Sequence, residues 1–339
     1  PNVNVGFLSA EDYNHNDSTD HWIQNRWNIS SIAESRFALI NSRSQKHIRQ
    51  TEDLNEQQEV ALAKSPTNIN VSLQKEPKAR FSLDQFNKPM GPSAELQQFK
   101  LTENPKIPTK IEKVIQDTDL RSKEGLYKLY TKEVNHDTLT QALTAGTLGV
   151  KDNRKLVPTK WGITAVDDTV GKQLLERIKT YQHTGNLAFS GEYLGNYFLI
   201  LLFEGPISYE LFEFFRDAKH HTTDYEDWKG RKSYAYETAG GYYAARLPIL
   251  EYFKTHKRQA QALVLRFITD EYYMPLGVWV VRQAVKNTME AKPIEFGSPE
   301  LMLDYAKALS KKKFNRNLSW IDSKSKLLKK RKQKTIHDF

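Results

Sequence analysis

Apolar residues in the second half of the chain follow two periods, one typical of buried strands and the other of amphipathic helices. Two mainly apolar runs have the length of strands, 195–206 (GNYFLILLFEGP) and 261–268 (QALVLRFI). Helices are predicted around them, at 137–146, 170–181, 207–219, 240–256, 277–290 and 300–309. This order indicates an α/β or α+β fold, with a mixed sheet flanked by helices.

The first third of the chain is more polar, and its periodicity is mainly helical. Helices are expected at 29–40 and 51–65, and a strand at 69–76. Loops rich in Pro and Gly then lead to a boundary near residue 113. We therefore expect a smaller helical N-terminal domain at 1–113, an α/β domain at 114–310 and a basic C-terminal tail at 311–339.

Basic residues are concentrated near the C-terminus. Residues 311–334 contain eleven Lys or Arg and one acid, Asp322, whereas the whole chain has a net charge of +9. The rest of the chain is therefore close to neutral, and we expect a flexible basic tail rather than a uniformly basic surface. The residues predicted to contact a DNA backbone are Lys329, Lys330, Arg331 and Lys332.

The chain has no cysteine. This excludes disulfides, thiolate zinc sites, iron–sulfur clusters and cysteine nucleophiles within these residues. We find no signal peptide and no apolar run long enough to span a membrane, and we expect a cytoplasmic protein without a membrane partner. The first residue is Pro rather than Met, and we expect a segment upstream of it.

Asp167 and Asp168 are adjacent acids at the end of the segment 157–168 (VPTKWGITAVDD). Paired carboxylates can hold a divalent ion, as nuclease sites require. Alternatively, they cap a helix that begins near Val170, where carboxylates meet free N–H groups and a favourable helix dipole. The sequence leaves both interpretations open.

Two adjacent glycines precede a predicted helix in the segment 233–247 (SYAYETAGGYYAARL). Gly240 and Gly241 allow the helix N-terminus to approach another group closely, for example a phosphate. Tyr242 and Tyr243 can stack on bases. The alternative is a tight turn with both tyrosines packed in the core.

Arg266 interrupts the second apolar strand. A buried arginine requires a partner, and Glu204, at the end of the first apolar strand, is a candidate. We predict a charged pocket that is built from Asp167, Asp168, Glu204, Glu237, Arg246, Arg266 and Arg282. A structural ion-pair network is the alternative. His220 and His221 lie nearby, but adjacent histidines project differently and rarely chelate one ion, so no metal-binding residues are predicted.

The spacing Gln333-x-x-Ile336-x-x-Phe339 places two apolar residues on one face of a single helical turn. It resembles the motif by which DNA-replication and repair proteins dock on the sliding clamp, PCNA. The resemblance implies that Ile336 and Phe339 fill one apolar pocket and that Gln333 forms a hydrogen bond beside it. The motif usually ends in two aromatic residues, and here one is present. The alternative is a disordered basic end.

Several longer segments are distinctive: PNVNVGF (1–7), SIAESRFALI (31–40), GPSAELQQFKLTENP (91–105), VPTKWGITAVDD (157–168), GEYLGNYF (191–198), GGYYAARL (240–247) and EYYMPLGVWVVRQAV (271–285). Together with the terminal motif, they resemble the archaeal Nre family of DNA-repair proteins over nearly the whole chain. The resemblance implies a two-part protein of the DNA-damage response that docks on the sliding clamp. It implies no defined set of catalytic residues. Some members carry an upstream four-Cys element read as a zinc finger, and no zinc is expected within these residues.

Three functions are open at this point. The first is a clamp-tethered DNA-repair factor whose body acts as an enzyme on DNA or nucleotides. The second is a non-enzymatic DNA-binding or protein adaptor that uses the same tail. The third is a metabolic enzyme with an incidental basic tail. Whether the body is an enzyme depends on whether the charged residues converge in space.

Overall fold

The computed structural model describes residues 1–78, 81–215 and 220–332. The predicted clamp motif of Gln333, Ile336 and Phe339 lies outside these ranges. The chain folds into two compact units, the first formed by Pro1–Val170 with Met274–Gly277 and the second by Gly171–Tyr273 with the chain from Val278 onward. The division falls near residue 170 of the sequence, whereas the composition of the sequence indicated a boundary near 113.

The first unit combines helices with a sheet. Its elements in chain order are β1 (Asn2–Ser9), α1 (Thr19–Gln24), α2 (Ile29–Phe37), β2 (Ile40–His47), α3 (Asn55–Leu62), β3 (Ile69–Leu73), β4 (Ser93–Leu101), α4 (Thr109–Ile115), α5 (Ser122–Thr131), α6 (His136–Thr144) and the part of α7 (Thr159–Ile178) up to Val170.

The sheet of the first unit has the order β1-β2-β4-β3 within the described residues, and only β2 and β4 run parallel. Phe7 is the one buried residue of β1, and β2 (INSRSQKH) is mostly polar. Neither strand therefore shows the apolar pattern by which a strand is recognised in a sequence. For this reason the sequence indicates a mainly helical N-terminal domain. The helices bury Trp22 and Ile32, and the Trp22 indole donates a hydrogen bond to the His15 carbonyl oxygen at 2.9 Å.

The second unit continues from α7. Its elements in chain order are β5 (Gln182–His183), β6 (Asn186–Tyr193), β7 (Asn196–Phe203), β8 (Ser208–Phe214), β9 (His221–Glu226), α8 (Ala239–His256), β10 (Arg258–Gln259), β11 (Gln261–Ile268), α9 (Trp279–Glu290), β12 (Ile294–Phe296), α10 (Pro299–Phe314), α11 (Ile321–Lys324) and α12 (Lys326–Lys332).

The main sheet has the strand order β12-β6-β7-β11-β8-β9 in the described part of this unit. All its neighbouring strands are antiparallel except β11 and β8, which are parallel. The turn between β6 and β7 requires Gly195, whose φ is +72° and whose position would bring a Cβ within 2.5 Å of the Tyr272 nitrogen. The predicted mixed sheet flanked by helices is confirmed.

One face of this sheet is apolar and is covered by the C-terminal helices. Leu199, Phe212 and Leu265 belong to a buried cluster with Met302 of α10 and with residues of the last helices. Ser298 caps α10 through its side chain, and Pro299 is the first helical residue, as the sequence predicts. Leu327 and Leu328 of α12 are also buried in this cluster.

Two local predictions are wrong. The segment predicted as a helix at 207–219 forms strand β8 over Ser208–Phe214. The region expected to be a flexible tail from 311 onward is helical in α10, α11 and α12 up to Lys332, because Leu327 and Leu328 pack into the core. Helix α8 is continuous through Pro248. Among the described residues, no helix has the length and hydrophobicity needed to cross a membrane.

Candidate functional site

A buried charge network lies on the face of the main sheet that is opposite to α10 and α12. Successive strand residues point to opposite faces. Glu213 of β8 therefore faces away from the apolar cluster that contains Phe212 and Phe214. Asp224 and Glu226 lie on the neighbouring strand β9. Each of these three buried carboxylates pairs with an arginine: Glu213 with Arg266, Asp224 with Arg231, and Glu226 with Arg246.

Arg266 and Glu213 are directly opposite each other on the parallel strands β11 and β8. Arg266 Nη1 lies 2.5 Å from Glu213 Oε1, and its Nε and Nη2 donate to Asn196 Oδ1 at 3.1 and 2.5 Å. Burial raises the pKa of Glu213, and the ion pair with Arg266 offsets part of that rise. The partner predicted from the sequence, Glu204, is exposed in the turn after β7.

Arg246 projects from α8 and is only 1% exposed. Its Nη1 donates to both carboxylate oxygens of Glu226, at 3.0 and 2.8 Å. The guanidinium lies over the rings of Tyr242 and Tyr243, 5.8 and 5.4 Å from their centroids. Burial raises the pKa of Tyr242 well above its ordinary value. Both tyrosines are buried, as the core interpretation of the GGYY segment predicts.

The start of α8 is fixed to β9 and β8 by this network. Asp224 Oδ2 accepts hydrogen bonds from the Thr238 nitrogen and hydroxyl at 2.9 and 3.0 Å. A Cβ at Gly241 would stand 2.7 Å from Glu213 Oε1, so that a larger residue there would displace the carboxylate. The close approach that Gly241 permits is thus to a carboxylate of the protein itself.

The remaining candidates of the second unit are less enclosed. Glu237 is exposed, and its Oε2 accepts a hydrogen bond from the Thr223 nitrogen at 3.2 Å. Arg282 is half-buried on α9. The structure therefore brings Arg246 and Arg266 into one buried network, and it leaves Glu204 and Glu237 on the surface.

Asp167 and Asp168 belong to the first unit and lie inside α7, which begins at Thr159. They cannot cap a helix that begins near Val170, so that interpretation is wrong. Asp167 is buried, and its Oδ1 lies 2.8 Å from His136 Nε2. Across the described ranges, no group of three or more His, Cys, Asp or Glu is arranged to hold a metal ion.

The basic residues of the C-terminal region are held against the second unit. Lys329, Lys330, Arg331 and Lys332 form the last turns of α12. Arg331 Nη1 donates to the Glu204 carbonyl oxygen at 2.8 Å, and Lys330 pairs with Asp227 at 3.4 Å. Lys329, Lys330 and Lys332 are exposed, and Lys332 lies 3.6 Å from Asp322.

Helix α12 is fixed by a buried carboxylate that sequence reasoning missed. Glu210 accepts hydrogen bonds from the Ser325 hydroxyl and from the Lys326 and Leu327 nitrogens, the last two at 2.9 and 3.0 Å. Burial raises the pKa of Glu210, and these hydrogen bonds offset part of the rise. The signal in the sequence was the pair of glutamates in SYELFEF (208–214), which a strand places on opposite faces.

Comparisons with known proteins place this sequence in a family. A family model described as Archaeal Nre, N-terminal, matches residues 1–221, and one described as Archaeal Nre, C-terminal, matches residues 226–339. The two matches cover nearly the entire sequence. The chain therefore belongs to the archaeal Nre family, as the resemblance of its segments implies.

Three relatives match most of the chain. DNA repair protein NreB of Archaeoglobus fulgidus is 35% identical over 320 residues, which are 92% of this chain and 80% of that protein. DNA repair protein NreA of Haloferax volcanii is 32% identical over 314 residues, 86% and 75% of the two chains. DNA repair protein NreA of Archaeoglobus fulgidus is 38% identical over 273 residues, 78% and 67%. No solved structure matches the chain.

Proposed function

We propose that this protein is a DNA-repair factor of the DNA-damage response, and that the sliding clamp recruits it to DNA through Gln333, Ile336 and Phe339. The observation that supports a repair role is the similarity to three relatives named DNA repair proteins, which extends over 78 to 92% of the chain. We place its work in the cytoplasm.

The proposed clamp contact rests on the spacing of the motif. Ile336 and Phe339 are three residues apart, so a single helical turn presents both side chains on one face. A segment of this length does not hold a helix alone, because helix nucleation is unfavourable. Part of the binding energy is therefore used to order the segment, and we expect a Kd on the order of micromolar.

The basic helix that precedes the motif supports contact with DNA near the clamp. Five of the seven residues of α12 are Lys or Arg, and α12 ends at Lys332, the residue before Gln333. Because Glu210 fixes this helix to the body, Lys332, the residue before the motif, belongs to the folded second unit. The proposed geometry keeps the body close to any clamp that binds the motif.

Calorimetric titration of the full chain against its cognate clamp tests the proposal. Ile336→Ala with Phe339→Ala is expected to abolish binding, and the melting temperature of the body should not change. The matched control is Lys334→Ala with Thr335→Ala, which alters only the positions between the motif residues. Equal affinities of the wild type and the Ile336→Ala/Phe339→Ala variant would contradict recruitment by this motif.

A non-enzymatic adaptor is the second candidate for the body. It is favoured by the observation that Arg246 and Arg266 are buried in ion pairs with Glu226 and Glu213 rather than presented to solvent. A body that processes DNA or nucleotides is the competing form of the proposal. Incubation of labelled DNA with the protein and divalent metal ions separates the two, since only a processing enzyme converts the DNA to a product.

A further inference from the structure

The loop between β9 and α8 carries large aromatic residues on the surface of the second unit. Trp228 is 52% exposed and Tyr236 is 80% exposed. Lys229 and Lys232 lie between them in the sequence and are also exposed. The Lys229 ammonium is 5.4 Å from the centroid of the Trp228 ring, so a cation and an open aromatic face are adjacent. We call residues 227–237 the aromatic loop.

The backbone of the aromatic loop is fixed by the buried charge network. Arg231 pairs with Asp224 at 2.9 Å and donates to the carbonyl oxygens of Tyr225 and Tyr234 at 3.0 and 2.9 Å. Asp227 Oδ1 accepts a hydrogen bond from the Lys229 nitrogen at 2.9 Å. These contacts hold both ends of the loop to the edge strand β9. They therefore fix the backbone that carries the exposed Trp228 and Tyr236 rings.

The basic helix α12 adjoins this loop. Lys330 pairs with Asp227, the residue before Trp228, and its ammonium lies 4.9 Å from the centroid of the Tyr225 ring. Lys326 and Lys329 of the same helix are exposed. The aromatic loop and α12 are therefore linked through Asp227 and Lys330, and both segments carry exposed side chains, aromatic in the loop and cationic in both.

We propose that the aromatic loop and α12 together bind single-stranded DNA. Proteins that bind single strands combine aromatic side chains, on which unpaired bases stack, with cations that contact the backbone. Trp228 and Tyr236 are the stacking residues, and Lys229, Lys232, Lys326 and Lys329 contact phosphates. In a duplex the base faces are already stacked on each other, so they are not available to stack on Trp228 and Tyr236. The choice of DNA over another polyanion rests on the proposed function in repair.

Fluorescence anisotropy with a labelled oligothymidylate of about 20 nucleotides and a duplex of equal length tests this inference on the full chain. Trp228→Ala and Tyr236→Ala are each expected to weaken single-strand binding roughly 10-fold, with little change for the duplex. Trp228→Phe should restore most of the affinity, because it keeps an aromatic face. The matched controls are Trp161→Ala and Tyr13→Ala, which remove exposed aromatic residues of the first unit, 67% and 50% exposed.

The lysines provide a second readout. Lys229→Ala with Lys232→Ala should reduce affinity and make its salt dependence shallower, since fewer counterions are released on binding. Lys123→Ala with Lys128→Ala, two exposed lysines of α5, is the control. Wild-type affinity in both aromatic variants, or no binding of the oligothymidylate by the wild type at low salt, would overturn the inference. An acidic peptide that competes better than the oligothymidylate would also overturn it. None of these results affects clamp binding, so the two proposals fail separately.

Discussion

Glu210 and Ser325 are 115 residues apart in the sequence and share a hydrogen bond in the protein interior. The same carboxylate accepts the backbone N–H groups of Lys326 and Leu327. These contacts join strand β8, the neighbour of the edge strand β9, to the first turn of α12. The basic region that precedes the proposed clamp motif is therefore part of the folded body.

Replacement of Glu210 by Ala should release α12. The substitution leaves the donors of Ser325, Lys326 and Leu327 without their acceptor in a buried place, and we expect a loss of ~1–3 kcal/mol in the free energy of unfolding. Hydrogen exchange should show faster exchange at the amides of Leu327 and Leu328. Glu204→Ala is the control, because its side chain is exposed. Unchanged protection of α12 in Glu210→Ala would contradict this account of the tail.

The Arg266–Glu213 pair should be costly to break from one side. Arg266→Met leaves the Glu213 carboxylate buried without its cation, and we expect a loss of roughly 3–5 kcal/mol. Arg266→Met combined with Glu213→Leu should be less destabilising than the single change, because no buried charge is left. Urea unfolding of the two variants measures the difference. A double variant that is less stable than Arg266→Met would contradict this prediction. It would show that the ion pair stabilises the fold by more than the free-energy cost of burying its two charges.

The effect of Arg266→Met should also depend on pH. Burial raises the pKa of Glu213 above its ordinary value of 4.5 even in the wild type. The folded state therefore favours the protonated carboxyl, and its contribution to stability is present at low pH and is lost as the pH rises through the folded pKa. Removal of Arg266 raises this pKa further. The destabilisation by Arg266→Met should therefore grow as the pH rises above the ordinary value of 4.5, a dependence that urea unfolding at several pH values would reveal.

Asp137 in the first unit gives the opposite pH dependence. Burial alone would raise its pKa, but the attraction and hydrogen bond of Lys88 and the hydrogen bond of Thr19 lower it to about 2. Its contribution to stability is present above the unfolded value of 3.8 and is lost as the pH falls through about 2.

The stability difference between the wild type and Asp137→Asn should therefore shrink as the pH falls from 4 to 2. The side chain is 32% exposed, so solvent screens part of the attraction, and the difference at neutral pH should be at most ~2 kcal/mol. Asp119→Asn, an exposed aspartate, is the control. A difference that stays constant over this range would count against the Lys88–Asp137 pair.

The buried part of α12 changes how its charge should be tested. Truncation before α12 would remove Leu327 and Leu328 from the core, so it would not isolate the effect of charge. Lys326→Ala with Lys329→Ala alters two exposed residues only. For duplex DNA, the slope of log affinity against log salt should fall by about 0.9 for each phosphate that the variant no longer neutralises. An unchanged slope would show that these two lysines do not bind the DNA backbone.

The accuracy of the sequence predictions followed the strength of the apolar signal. Strands β7 and β11 are buried on both faces, so they read as continuous apolar runs and were predicted nearly to their ends. Strand β8 is equally buried but contains Glu210 and Glu213, whose spacing of three residues is typical of a helix. The sequence therefore predicts a helix at β8. Two buried glutamates are tolerated in this strand because each has a partner on another element, and the local sequence does not reveal those partners.

Only part of the candidate site could be predicted from the sequence: two of its arginines, but not their partners. The position of Arg266 in an apolar strand predicts its burial. Its partner, Glu213, could not be predicted, because the sequence indicates a helix rather than a strand at 207–219. Arg246 lies on a helix, as predicted, although that helix begins at Ala239 and includes the two glycines. Its partner Glu226 lies on the edge strand β9 (HTTDYE), which is too polar to give a strand signal.

Recruitment of the protein to clamp-bearing DNA is the most direct test of the proposed function. Nicked circular DNA, with or without its loaded cognate clamp, is mixed with the full chain or the Ile336→Ala/Phe339→Ala variant, and bound protein is measured by gel filtration at a salt concentration that suppresses backbone contacts. We predict that the wild type co-elutes with DNA only when the clamp is loaded, and that the variant does not co-elute. Equal retention of the wild type and the variant on clamp-loaded DNA would contradict the account.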